Sequence, residues 1–207
     1  MSTVGRFGKC GETKRLAHLR QSGYRRSPTE RVGPMQPYQT PFSPLKGKST
    51  IRPAKPSDKS FIAGLSGQAF SVYGPYRTTV SRWFESGVTM TFIYVAEGGP
   101  AGFVMVGALL EDREGETRAE VLAIAVTPEF QKRGIGEKLL QFAQRSMEHL
   151  GECRLFLHTA KENLAAQKLF LKNGYRSVEI KKAFYPSGHD AIMMVNDLIK
   201  DRNIKQL

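Results

Sequence analysis

From Ser49 onward, apolar positions recur with strand and helix periods in alternation, separated by turn residues. Ser49 to Arg52 reads as a short strand, stopped by Pro53 and Pro56. Ser57 or Asp58 suits a helix N-cap before the periodic run Phe61, Ile62, Leu65 and Ala69. A second helix is expected over Thr78 to Ser86, with Val80, Trp83 and Phe84 on its buried side. Three strands come next, Thr91 to Glu97, Ala101 to Leu110 and Arg118 to Val126, with Gly98-Gly99 as a tight hairpin turn and Glu111 to Glu116 as the second turn.

A long helix starts near Gly134. Its apolar residues Ile135, Leu139, Phe142, Ala143, Met147 and Leu150 fall at three- and four-residue steps before Gly151. Arg154 to His158 then reads as a strand, Asn163 caps a helix carrying Ala166, Leu169 and Phe170, and strands Tyr175 to Ile180 and Ala191 to Val195 end the pattern. Strands and helices in this order predict an α/β fold, a mixed sheet covered by helices on both faces.

The first 48 residues break this rhythm. Residues 1–50 carry ten Lys/Arg against Glu12 and Glu30, whereas the whole chain of 207 residues has a net charge of +12. The same stretch has six Gly and five Pro and no apolar period, too little to offset its ordering entropy. It reads as a disordered basic arm (1–48) ahead of one domain (49–200) and a short tail (201–207). Such an arm allows weak contact with nucleic acid or the ribosome through counterion release. Gly47-Lys48-Ser49 mimics the end of a phosphate-binding loop, but Phe42 stands where that motif needs glycine.

Composition narrows the classes further. Hydrophobic residues make up 40% of the chain, enough for a packed core. Cys10 and Cys153 alone cannot build a disulfide framework or a structural zinc site, and no metal is expected. No apolar run reaches the ~18–20 residues of a membrane span, and the N-terminus lacks the apolar core of a secretory signal. The expectation is a cytoplasmic protein, monomer or homodimer, without membrane contact.

One segment carries chemistry. The strand Val121 to Val126 runs through Thr127-Pro128 into Gln131-x-x-Gly134-x-Gly136 at a helix start. The glycines let backbone approach a bound group, and the free amides of the first helical turn, with its dipole, favour an anion such as a pyrophosphate. Lys132 and Arg133 add positive charge. It is not a dinucleotide fingerprint, because Leu139 occupies the third glycine position.

This strand, turn and helix, together with Leu155-Phe-Leu-His158, Asn163, Ala165, Ala166, Leu169, Phe170 and Gly174-Tyr175, resemble the GNAT superfamily of N-acetyltransferases over residues 49–197. Lys181-Lys182-Ala-Phe184-Tyr185-Pro186 and Asp190-Ala191 are similar to the branch that acetylates ribosomal-protein alanine and other protein N-termini. The resemblance implies a mostly antiparallel sheet of about six to seven strands, acetyl-CoA as donor, and a primary amine as acceptor. That amine would be a protein N-terminus or lysine. A small amine or amino acid, or a non-catalytic CoA-binding role with a nucleic-acid-binding arm, are the alternatives. Implied donor contacts are Ile124, Ala125 and Val126 on the strand, Gln131, Lys132, Arg133, Gly134, Ile135, Gly136 and Glu137 at the helix start, and Asn163 and Phe170. Implied acceptor contacts are Tyr73, Tyr76, Phe184 and Tyr185.

Amine acylation needs a base, because the resting ammonium must lose a proton. The resemblance points to two candidates on successive strands of the pattern, Glu120 and His158. Strict alternation would put Glu120, Leu122, Ile124 and Val126 on one face, with Glu120 about 13 Å from Ile124 at ~3.3 Å per residue. A water relay or a strand bulge would then be needed. Phe170 stands where the branch has a proton-donating tyrosine, which leaves Tyr185 or water to protonate the leaving thiolate, or the thiolate to depart unprotonated.

Overall fold

The computed structural model describes residues 49–96, 98–110 and 117–198. The arm, the turn 111–116 and the tail 201–207 lie outside the described residues. Seven strands form a single sheet: β1 (Thr50–Pro53), β2 (Thr89–Ala96), β3 (Gly99–Leu110), β4 (Thr117–Val126), β5 (Arg154–Ala160), β6 (Arg176–Lys181) and β7 (Ala191–Asp197). The four α-helices are α1 (Lys59–Phe70), α2 (Tyr76–Glu85), α3 (Ile135–His149) and α4 (Leu164–Lys172). The element order is the expected one, and the boundaries differ by a few residues.

In space the strands run β1-β2-β3-β4-β5-β7-β6. Every pairing is antiparallel except β4 with β5. A parallel pair needs a long crossover, and α3 supplies it. α3 and α4 cover one face through Leu139, Leu140, Phe142, Ala143 and Phe170, packed on Val104, Val121, Leu155 and Leu157. α1 and α2 cover the other through Ile62, Leu65 and Val80 on Ile93, Phe103 and Met105. Among the described residues no helix is long and apolar enough to cross a membrane.

Asp58 does not cap α1 with its side chain. Its carboxylate instead accepts two hydrogen bonds from the Arg52 guanidinium, at 2.7 and 2.9 Å, and one from the Lys55 amide at 2.7 Å. These bonds tie the end of β1 to the start of α1. The Arg52 hydrogen bonds hold the Asp58 carboxyl below the usual carboxylate range, with burial opposing. The stabilisation is therefore complete above the unfolded aspartate value of ~3.9 and is lost as pH falls through the lower folded value. Asp58→Ala is expected to cost roughly 2–3 kcal/mol near neutral pH, read by chemical denaturation. The deficit should shrink in acid.

β4 departs from strict alternation at one place. Met105 pairs with Ala123 while Val106 pairs with Val121, so Leu122 is an extra residue, a β-bulge. Its consequence is a change of phase. Before the bulge, Ala119 and Val121 pack under α3 and Glu120 points to the α1/α2 side. After it, Ile124 and Val126 pack toward α3 and α4, while Leu122, Ala123 and Ala125 pack toward α1 and α2. Glu120 and Ile124 thus lie on opposite faces, not on the shared face that alternation predicts.

Candidate active site

β4 and β5 stay paired only from Ala119/Leu155 to Val121/Leu157. Beyond that point β5 continues along β7 up to Ala160, and β4 continues along β3 up to Val126, so the two central strands splay apart. Thr127 N–H donates to Ala101 O at 2.9 Å. Because strand amides alternate in direction, Ala125 N–H also faces β3, and the N–H groups of Ile124 and Val126 face the gap. The methyl of Ala125 packs into the α1/α2 core. Val126 O, on the gap side, accepts from Gln131 Nε2 at 3.0 Å.

The gap leads to the start of α3. Lys132 and Gly134 both have positive φ, 59° and 76°. Left-handed residues within a tight turn let successive amides converge on an anion. A Cβ on Gly134 would meet no protein atom within 4 Å, so it would project into open space in front of the helix. Arg133 lies over the Phe130 ring at 5.2 Å. The Ile135 side chain is in the core, which leaves only its amide facing outward. A Cβ on Gly136 would meet Leu169 at 3.4 Å and Val126 at 3.9 Å, ordinary packing distances. Glu137 accepts from Lys172 Nζ at 2.9 Å and joins α3 to α4. Asn163 caps α4 by accepting from Ala166 N–H at 3.1 Å. Phe170 is buried and packs against Tyr175 with ring centroids 5.8 Å apart.

At the bottom of the gap the two base candidates meet. Glu120 and His158 are two register steps apart on neighbouring strands and point to the same side. His158 Nδ1 lies 2.6 Å from Glu120 Oε1, with side chains 10% and 11% exposed. A carboxylate only accepts, so Nδ1 is the donor to Glu120, and in the neutral imidazole the lone pair then lies on Nε2. Nε2 is buried and has no hydrogen-bond partner among the described residues. The two residues that the sequence offers as alternatives are thus one unit, with a carboxylate orienting an imidazole whose other nitrogen is available for proton transfer.

A cavity of about 180 Å³ joins this pair to both faces of the sheet. On the α4 side it is lined by Ile124, Asn163, Ala166 and Phe170, and on the α1/α2 side by Phe70, Tyr73, Tyr76, Trp83, Phe184 and Tyr185. The Phe184 ring stacks on the His158 imidazole at 4.4 Å and 14°. Tyr185 contacts Tyr73 at 5.0 Å and Tyr76 at 6.2 Å between ring centroids. Burial, and after it the neighbouring Tyr76, Tyr73 and Glu120, pushes the Tyr185 phenol far above its ordinary value. Burial also raises Tyr73 and Tyr76. All three remain protonated at neutral pH. Phe70 and Leu122 also line the cavity, and sequence reasoning misses both. Phe70 carries no signal beyond helical periodicity, and Leu122 none beyond the strand alternation it shares with Glu120. Among the described residues no group of three or more His, Cys, Asp or Glu could hold a metal ion.

A family model, the acetyltransferase (GNAT) family, matches residues 60–175, and the chain belongs to that family. Solved structures of similar fold include the ribosomal-protein-S18-alanine N-acetyltransferase of Escherichia coli. It is 24% identical, with a TM-score of 0.62 and coverage of 76% of this chain and 99% of that one. The NatC complex bound to Gag peptide and CoA gives 22% identity, a TM-score of 0.64 and coverage of 74% and 100%. Salmonella typhimurium yncA with its cofactor acetyl-CoA gives 17%, 0.65, and 76% and 98%. Among curated proteins, none matches the chain in sequence.

Proposed function

We propose that this protein transfers the acetyl group of acetyl-CoA to a primary amine of a protein, an N-terminal α-amine or a lysine. The observation that carries this reading is the Glu120–His158 pair, 2.6 Å apart at the floor of a cavity reached from both sheet faces. Structures of similar fold with a bound Gag peptide and CoA, or with acetyl-CoA, support it.

The donor, when bound, supplies an activated thioester carbonyl. The amides of Lys132 to Glu137 and the dipole of the 15-residue α3 would hold its pyrophosphate. Ile124 N–H would polarise the carbonyl, and Val126 N–H would pair with the pantetheine arm. Asn163 and Phe170 line the donor side. On the acceptor side, Tyr73, Tyr76, Phe184 and Tyr185 wall the approach. His158 Nε2 takes the proton of the acceptor ammonium, and Glu120 stabilises the imidazolium that results. Tyr185, kept neutral by burial, holds a proton at Oη for the departing sulfur.

Because a thiolate leaves readily without protonation, Tyr185→Phe is expected to lower kcat only about tenfold, with acetyl-CoA affinity unchanged. The overall test is acetyl transfer to an array of peptides, with mass-spectrometric localisation of the acetyl group. Peptide acetylation dependent on His158 supports the proposal. A folded chain that binds coenzyme A in calorimetry yet acetylates no peptide overturns the protein acceptor.

A further inference from the structure

The β6–β7 loop carries a backbone conformation that its own sequence does not favour. Ala183 has φ 47°, in the left-handed region where a Cβ is strained and glycine is the usual occupant. Asp190, across the loop, supplies the contacts that hold it there. Its Oδ1 accepts the Ala183 N–H at 3.0 Å, and its Oδ2 accepts Lys182 Nζ at 2.7 Å. The Asp190 carbonyl accepts Lys161 N–H at 3.2 Å, which ties this anchor to the end of the strand bearing His158.

The two residues after Ala183 form part of the acceptor wall. Phe184 lies flat on His158, and Tyr185 packs against Tyr73 and Tyr76. The direction of Phe184 follows from the turn at Ala183, because relaxing φ to negative values would swing it off the His158 ring, while Tyr185 is held in addition by its N–H donating to His189 O at 3.1 Å. The far side of the loop is docked independently. Ser187 N–H donates to Tyr73 O at 3.3 Å, and Gly74 lies so close to Pro186 that a Cβ would meet it at 3.0 Å. Lys182 is 77% exposed at its side chain, and Asp190 is 21% exposed. The cluster adds little to the core, so its effect is on the loop.

We propose that Asp190 is the positioning residue of the acceptor wall, acting through Ala183 and Lys182 to lay Phe184 over His158 and turn Tyr185 into the cavity. This rests on the reading of the cavity's α1/α2 side as the amine-acceptor site.

The experiment compares Asp190→Ala, Asp190→Asn and the double variant Ala183→Gly/Asp190→Ala in the full chain. Two readouts are used. One is the ring-current shift that Phe184 imposes on the His158 ring protons, measured by NMR without substrate. The other is steady-state kinetics on a peptide acceptor, with acetyl-CoA affinity from calorimetry. For Asp190→Ala the His158 ring shift should collapse and the acceptor KM rise about tenfold, the scale of one released left-handed residue, while acetyl-CoA affinity stays within about twofold. Asp190→Asn, which still accepts from Ala183 N–H, should stay near the parent. Glycine at position 183 should recover most of the shift and the KM, because it adopts positive φ without strain.

The proposal is overturned if Asp190→Ala keeps the parental His158 shift, if the glycine variant gives no recovery, or if donor affinity and Tm fall in step with activity. Should no peptide be acetylated by any form, the NMR comparison still decides the role of Asp190, and only the acceptor reading fails.

Discussion

His158→Ala is expected to lower kcat by about 10²–10⁴-fold, the range usual for loss of a positioned base, with little change in acetyl-CoA affinity. The reason is geometric. Among the described residues the buried Nε2 has no partner, while Nδ1 is engaged by Glu120 at 2.6 Å. Glu120→Gln should cost less than His158→Ala, because an amide still restrains the ring but cannot stabilise its cation. In the parent enzyme, kcat/KM should fall on the acid side as the base becomes protonated. That limb should be missing in His158→Ala. If instead Glu120→Gln loses the limb and His158→Ala keeps it, the carboxylate is the base and the imidazole its support. Rates measured across pH with a saturating donor separate these outcomes.

The second large effect is expected at the donor turn. Gly134→Val places a β-branched residue at φ 76°, where valine is strained by roughly 1–2 kcal/mol. Relief of that strain would rotate the amides at the start of α3 away from the pyrophosphate, each such charge-assisted bond contributing roughly 1.5–3 kcal/mol. Acetyl-CoA affinity should drop by about 10²–10³-fold in calorimetry. The fold should survive, because a side chain here meets no protein atom within 4 Å. Unaltered affinity in a well-folded variant would remove this turn from the donor site.

Much of the architecture is readable because each element follows its own hydrophobic period. α3 shows three- and four-residue spacing throughout, and Asn163 caps α4 as its residue type predicts. Strand order is less legible, since no residue in β6 or β7 announces that β7 inserts between β5 and β6. The bulge at Leu122 escapes for a physical reason. An extra residue in a strand leaves the hydrophobic run intact and shows only in the partner's register. That one residue accounts for the difference between the expected and observed faces of Glu120. The pairing of Glu120 with His158 is likewise hidden. The residues are 38 positions apart, and only the parallel register of β4 with β5 brings them together. Phe184 is visible as an aromatic beside Tyr185, but its stacking on His158 depends on the left-handed turn at Ala183.

The splay between β4 and β5 also bears on how such a protein can diversify. The gap gives the cavity two sides lined by different pieces of chain, Ile124, Asn163 and α4 on one, the α1–α2 and β6–β7 segments on the other. Glu120 and His158 line it between them. On the proposed reading, substitutions that re-line the aromatic side would leave the opposite one intact, and the repertoire of amines would drift while the acetyl carrier stays the same.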